Sequence, residues 1–417
     1  MSNSKTLYRY YSIFALAIFL CIPPFAVADV VTDWNLIAAS LAVPARAPAP
    51  TSILDLATVH VAMHDAIQAY QGRFESYGAT VANPSGSPVA AAATAAHDVL
   101  VAHFPAQQAT LDAVLTSYLT GLGLANDAGV AVGHQVAAAI LALRANDGSF
   151  PSNPEIFTGG TDPGEWRPTP PAFLPMASPW LGAVTRFTLK DTEQLRASPP
   201  PPSLDSGQYT LEYNEVKALG SSTSTERTPA QTALALFYAP PENFLALWER
   251  TLRGIANANV NDIGDSARLF AMANMAAADA IMTAWADKRF YAHWRPITAI
   301  QEGDNDGNPH TVGDPNWTPL ITTPPYPEYT SGANTLTGAM TRTLENFFGD
   351  KMTFSVMSTA VNQTITYNRF SDMADDVVNV RIYQGIHFRS ADEVARRQGT
   401  RAADWAFAHF LRPIQGP

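Results

Sequence analysis

Apolar residues at helical spacing, interrupted at intervals by proline, run through most of this chain. No stretch sustains an alternation of β-branched and polar residues. Between Ile53 and Tyr70 the apolar residues Ile53, Leu56, Met63 and Ile67 recur at three- and four-residue steps, the spacing of a helix with one buried face. Comparable stretches follow at 88–104, 106–121 and 127–146, rich in alanine, which lets helices approach closely. Further stretches occupy 208–219, 229–239, 242–257, 263–287, 333–348, 355–367, 371–384 and 391–411. An extensive sheet is therefore not expected, and the fold class read from the pattern is all-α, a helical bundle of one or two packed layers.

The helical pattern stops between Gly148 and Ser206, where Pro151, Pro154, Pro163, Pro168, Pro170, Pro171 and the run Pro199 to Pro202 fall. A loop of that length inside a compact domain is a functional segment, a wrap around the core, or disordered. Trp166 and Trp180 within it favour a wrap. The expected organisation is a single domain over 29–417, with N-terminal helices at 52–146, a proline-rich wrap at 148–206 and C-terminal helices at 208–411.

Residues 1–28 have the order of a secretory leader. Lys5 and Arg9 precede a ten-residue apolar run from Ile13 to Ile22, Pro23 and Pro24 end it, and Ala26-Val27-Ala28 offers a cleavage site before Asp29. The run is about half the length that spans a bilayer, so no transmembrane anchor is expected, and the mature protein is expected outside the cytoplasm, secreted or periplasmic. The only cysteine is Cys21. It leaves neither a disulfide nor a thiolate zinc site, and bulky Phe19 and Leu20 before it do not suit a lipoprotein signal. Cleavage after Ala28 removes two basic residues and no acidic one, taking the net charge from −11 to −13. That sign excludes a nucleic-acid partner, whose phosphates it would repel.

Three segments in the C-terminal half concentrate the chemistry. The first is Lys288-Arg-Phe-Tyr-Ala-His-Trp-Arg295-Pro296. Pro296 biases Arg295 away from helical geometry, so Lys288 is expected near the end of a long helix with Arg295 reaching back from the loop beyond. The second, Tyr326-Pro-Glu-Tyr-Thr-Ser331-Gly332-Ala333, leads into the helix at 333–348 and offers an oxyanion a hydroxyl and free amides. The third is Arg381-Ile-Tyr-Gln-Gly385-Ile-His387, in which Gly385 supplies a helix stop that turns His387 inward. Any one segment alone is ordinary surface salt-bridge material. Together they supply three cations, a hydroxyl, amide donors and an imidazole, an inventory suited to phosphate or vanadate, with the histidine able to attack or coordinate the central atom.

In this order, K-x6-R-P, then S-G before a helix, then R-x5-H, the chain resembles the superfamily of vanadium-dependent haloperoxidases and type 2 phosphatidic acid phosphatases. The resemblance implies an all-α helical-bundle fold of that type, and matches Lys288, Arg295, Ser331, Gly332, Arg381 and His387 to the oxyanion-binding positions. In the haloperoxidases the matching histidine bonds vanadium; in the phosphatases it is the nucleophile. The surroundings lean to the haloperoxidases: Trp285 and Tyr326 stand where those enzymes line the halide side of the pocket. Ala278-Asp279-Ala280, Trp294-Arg-Pro-Ile-Thr-Ala-Ile300 and Gly385-Ile-His-Phe-Arg389 look similar as well. What the resemblance implies is an exported peroxidase with vanadate as cofactor, or phosphate in the same site. Its partners would be hydrogen peroxide and a halide or small organic substrate. The alternatives are an acid phosphatase using His387 and a non-catalytic oxyanion-binding protein.

The chain departs from the family pattern twice. Where the family writes P-S-G-H, this chain has Thr330-Ser331-Gly332-Ala333, so alanine stands in place of the acid–base histidine. Weak oxidation favouring bromide or iodide is the expected result, with His293 as the nearby imidazole that could substitute. The aspartate usually found four residues after the last histidine is Ala391, with Asp392 one further on. His60 and His64, one helical turn apart, read as core histidines because no third ligand has suitable spacing. Asp304-Asn-Asp306-Gly-Asn308 is not a calcium loop, since its glycine is misplaced and its twelfth position is Pro315.

Overall fold

The computed structural model describes residues 29–46, 50–191 and 193–414. The expected leader, 1–28, lies outside the described residues. Thirteen α-helices and one two-stranded hairpin make up the regular structure among them. The first helix, α1 (Val30–Ala45), begins at Asp29, whose carboxylate accepts from the Val31 amide at 3.0 Å. It is absent from the sequence reading, whose N-terminal helices begin at residue 52; Pro44 falls in its last turn.

Helices α2 (Ser52–Gln71), α3 (Pro88–His103), α4 (Gln108–Gly121) and α5 (Gly129–Arg144) complete an N-terminal bundle. The pattern predicts one buried face for α2, yet Ser52 to Gln68 are buried all round. The helix is enclosed by α1, α3, α5 and the long α9 (Ile263–Tyr291), and its polar residues are bonded inside the bundle. Asp65, for example, accepts from the amides of Tyr77, Gly78 and Ala79 at 2.6–2.8 Å.

The C-terminal bundle packs α11 (Gly332–Phe348) and α13 (Arg389–His409) around the same α9, with α12 (Phe370–Tyr383) against both of them and α6 (Gly207–Gly220) and α7 (Pro229–Phe237) against α12. α8 (Phe244–Asn259) joins α1 to the hairpin, and the short α10 (Pro296–Gln301) leans on α6. α9 thus serves both bundles. It is long and apolar enough to cross a membrane, but 94% of its apolar window is buried inside the fold, which makes it a core helix here.

The sequence reading assigns 355–367 to a helix, and the structure corrects this. Phe354–Ser358 (β1) and Gln363–Tyr367 (β2) pair antiparallel, Phe354 opposite Tyr367 and Ser358 opposite Gln363. Burial alternates along β1, with Phe354, Val356 and Ser358 inside and Ser355 and Met357 outside. Val356, Val361, Thr364, Ile365 and Thr366 are β-branched, which favours strand over helix.

The segment 148–206 does wrap the core, and its only helical turn among the described residues is a 3₁₀ turn at Pro179–Ala183. That turn lies on α9 so closely that a Cβ on Gly182 would fall 2.6 Å from the Ala286 amide nitrogen. Four residues on, the buried Asp279 of α9 holds the wrap: one carboxylate oxygen accepts from Phe187 N at 2.6 Å, the other from Thr188 N, Thr188 Oγ1 and Leu189 N at 2.6–3.0 Å. Asp287, two turns later, accepts from Ala197 N at 3.0 Å. Trp166 is fully buried, stacked on Phe157.

Candidate active site: an oxyanion cradle at the end of α9

Lys288 lies in the last turn of α9, fully buried. Its ammonium donates to the carbonyls of Pro327 at 2.7 Å and Glu328 at 3.0 Å. Arg295 is extended (φ −83°, ψ 154°) before Pro296, which opens α10, as its place before proline requires. Its Nε donates to the Tyr326 carbonyl at 2.8 Å, and one Nη donates to the Ile386 carbonyl at 2.7 Å and to His387 Nε2 at 3.2 Å. The two cations thereby fasten the stretch 326–328 by three of its carbonyls, and that stretch delivers Ser331 to the N-cap of α11.

The third segment arrives from the other side. α12 ends at Tyr383, and Gly385 at φ +78°, where an L side chain is strained, reverses the chain and turns His387 inward. Arg381, in the last turn of α12, donates to Gln384 Oε1 at 2.5 Å. Lys288, Arg295, Arg381, Ser331, Gly332 and His387, spread over a hundred residues of sequence, converge here. Trp285 and Tyr326 form the adjoining wall with ring centroids 5.0 Å apart; Lys288 Nζ and the Arg295 guanidinium each stand 5.0 Å from the Tyr326 ring. A Cβ on Gly332 would meet Trp285 at 3.1 Å, so the α11 N-terminus abuts that wall.

Two buried donors end here without an acceptor, Arg295 Nη2 and Arg381 Nε, and the Ser331 hydroxyl lies beside the Asp392 carboxyl. Lys288 keeps a third N–H, and the first amides of α11 have no acceptor within their helix. Buried donors are seldom left unsatisfied. An oxyanion with several acceptor oxygens fits this donor set, and vanadate and phosphate are such groups.

The electrostatics agree. Burial, aided by the neighbouring Arg295, holds the Lys288 ammonium well below its usual pKa. Burial, then the charges of Arg295, Lys288 and Arg381, keeps His387 well below the ordinary histidine value, so its ring is neutral. Arg295 is lowered to about 10 by burial. Two carboxyls are pushed up by the same desolvation, Glu328 to about 8 and Asp392 to about 7. An anion among these cations would relieve both the desolvation and their mutual repulsion.

His293 is buried with its ring 6.1 Å from that of Phe388, and burial lowers its pKa to about 4. It makes no side-chain hydrogen bond to the cradle, and its neutral ring is no proton donor at neutral pH. Ala333, the second residue of α11, is half-buried. His60 and His64 are fully buried core side chains, paired with Asn35 and Asp65, and no cluster of three metal-ligating residues occurs among the described residues. Two acids support the site: Glu328, bonded to His387, to which the sequence reading gave no role, and Asp392, the acid one residue beyond the family's usual position, bonded to Asn334. An isolated acid between Pro327 and Tyr329, in a stretch otherwise without charge, was the available signal for the first.

A helical-bundle protein with a buried cationic cradle around one neutral histidine is the class defined here. Residues 268–416 match the family model described as the VCPO second helical-bundle domain. Over 207 residues the chain is 29% identical to vanadium chloroperoxidase of Curvularia inaequalis, an alignment covering 42% of this chain. The chain thus spans about a third of that relative's length (33%). Among solved structures, the first bacterial vanadium-dependent iodoperoxidase superposes with a TM-score of 0.79 at 22% identity, covering 94% of this chain and 99% of that one. A holo-type bacterial vanadium-dependent chloroperoxidase gives 0.69 at 16% identity, covering 90% and 91%. These two likenesses concern the fold. The chain thus has the helical fold of the vanadium haloperoxidases, and residues 268–416 resemble their second helical bundle.

Proposed function

We infer that this chain is an exported, vanadate-dependent peroxidase that oxidises iodide or bromide with hydrogen peroxide. The observation that carries the reading is the pair of buried guanidinium donors without acceptors, Arg295 Nη2 and Arg381 Nε, whose charges both act on His387. Vanadate bound there supplies the electrophilic centre at which peroxide is activated and halide oxidised. The residues of this chain hold it in place. Lys288, Arg295 and Arg381 offset the oxyanion charge, Ser331 and the α11 amides donate to its oxygens, and His387 offers its Nε2 lone pair to the central atom. Trp285 and Tyr326 wall the halide side.

The unprotonated ring of His387 equally suits a phosphoryl-transfer nucleophile, so an acid phosphatase is the second reading. One purified sample separates the readings. Iodide or bromide oxidation with vanadate and peroxide supports the first, phosphoester hydrolysis without vanadate the second, and saturable phosphate binding with neither activity a non-catalytic binder. Arg381→Ala should weaken vanadate or phosphate binding by about 1.5–3 kcal/mol, the worth of a hydrogen bond to a charged group. Isothermal titration measures it, and unchanged affinity would remove Arg381 from the site.

Export rests on residues 1–28. Cleavage after Ala28 would leave Asp29 free to cap α1 and to accept from Ser266 Oγ, as it does in the fold. Intact-mass measurement on secreted or periplasmic protein should give a terminus at or near Asp29; a retained Met1 would refute export by this signal.

A further inference from the structure

Glu328 is fully buried three residues before Ser331. One carboxylate oxygen, Oε1, takes two bonds from the last segment of the site: His387 Nδ1 lies 3.0 Å away, and the Phe388 amide donates at 2.9 Å. The backbone of the same residue is fixed as well. Its amide donates to the His293 carbonyl at 2.9 Å and its carbonyl accepts from Lys288 at 3.0 Å. Glu328 therefore ties the first, second and third segments together at a single point.

The other ring nitrogen settles the direction of the bond. His387 Nε2 faces an Arg295 Nη at 3.2 Å, and a guanidinium can only donate. Nε2 must then carry the lone pair, and in a neutral ring the hydrogen sits on Nδ1, pointing at Glu328. No other carboxylate makes this contact. Position 391 is alanine, and Asp392 turns to Asn334, accepting from its amide at 2.8 Å.

We propose that Glu328 is the positioning residue of this site: its carboxyl oxygen Oε1, held by the Phe388 amide, locks His387 as the Nδ1–H tautomer, with the Nε2 lone pair aimed into the oxyanion cradle. The proposal rests on the functional reading above only for what occupies the cradle. The histidine geometry holds without an occupant. An acceptor oxygen behind a ligating histidine fixes the ring's tautomer and orientation, and losing such a partner typically costs about 10–100-fold in affinity.

The test is long-range ¹H–¹⁵N NMR of His387 in the full-length protein without vanadate, with vanadate and phosphate titrations beside it. The unmodified protein should show protonated Nδ1 and unprotonated Nε2. Glu328→Ala should give mixed tautomers and vanadate binding about 10–100-fold weaker. Glu328→Asp, one methylene too short to reach the ring, should do the same and serves if the alanine variant does not fold. Glu328→Gln, which keeps an acceptor oxygen at the same reach, should restore the tautomer. An unchanged tautomer in the folded Ala or Asp variant, or no restoration by Gln, overturns the proposal. If the tautomers change as expected but the unmodified protein binds neither vanadate nor phosphate, the functional reading fails and the positioning role stands.

Discussion

Asp279→Ala is expected to cost this protein at least about 3 kcal/mol of stability, from three buried amides each losing an acceptor at about 1 kcal/mol or more. Against a typical total of about 5–15 kcal/mol, that is a large fraction. The amides of Phe187, Thr188 and Leu189 and the Thr188 hydroxyl all converge on this one carboxylate, and alanine offers them nothing. The charge itself is no asset: burial raises the Asp279 pKa despite the four bonds, so the ionised form is held at a cost. The penalty arises because the donors stay buried after the acceptor has gone. It should also spread, since the Thr188 carbonyl accepts from Trp405 Nε1 of α13 at 2.9 Å. Urea unfolding should show a lowered midpoint with an unchanged slope, and limited proteolysis should cut first within 149–206. A loss below about 1 kcal/mol would mean that the wrap is held elsewhere.

Ala333→His is expected to raise turnover by up to about 10²–10⁴-fold, the usual contribution of a positioned acid–base group. The position is the second residue of α11, directly after Ser331 and Gly332, and the alanine is half-buried, so a larger side chain has somewhere to go. Peroxidase assays on the vanadate-loaded protein, and phosphoesterase assays without vanadate, read the change. The unmodified protein should oxidise iodide and bromide weakly and chloride least. His293→Ala should leave those rates nearly unchanged, because the ring packs beside Phe388 and does not bond to the cradle. Robust chloride oxidation by the unmodified protein, surviving His293→Ala, would overturn the halide ranking.

Most helices were legible because apolar spacing is a local signal; the structure adds side-chain caps at Ser87, Thr228, Asn243 and Asp262 and proline at the first position of α3 and α7. The hairpin at 354–367 was misread because its apolar residues also fall near helical spacing over so short a run, and β-branching decided the outcome. The cations of the cradle were legible as motifs, and Pro296 and Gly385 disclosed how the backbone would turn at each. The supporting acids were not. Glu328 meets His387 across 59 residues of sequence, a contact that no local period encodes. Asp279 is the one charged residue between Arg268 and Asp287 of α9, and a lone acid in such a stretch signals a buried partner without saying which segment it is.

The way the wrap is fastened bears on how this molecule can change over generations. Its bonds to the α9 carboxylates are concentrated at 187–189 and Ala197, whereas the stretch before them reaches the pocket wall directly: the Ala177 carbonyl accepts from Trp285 Nε1 at 3.1 Å and the Ala177 amide donates to the Pro325 carbonyl at 2.8 Å. The cradle, by contrast, is built on helix ends and on the stapled 326–328 carbonyls. The wrap residues behind the pocket wall therefore lie on a different segment from the cations of the cradle, and the two meet at Trp285 on α9 and at Pro325. Drift in the wrap can alter which molecules enter while the charge-bearing machinery stays under its own constraint.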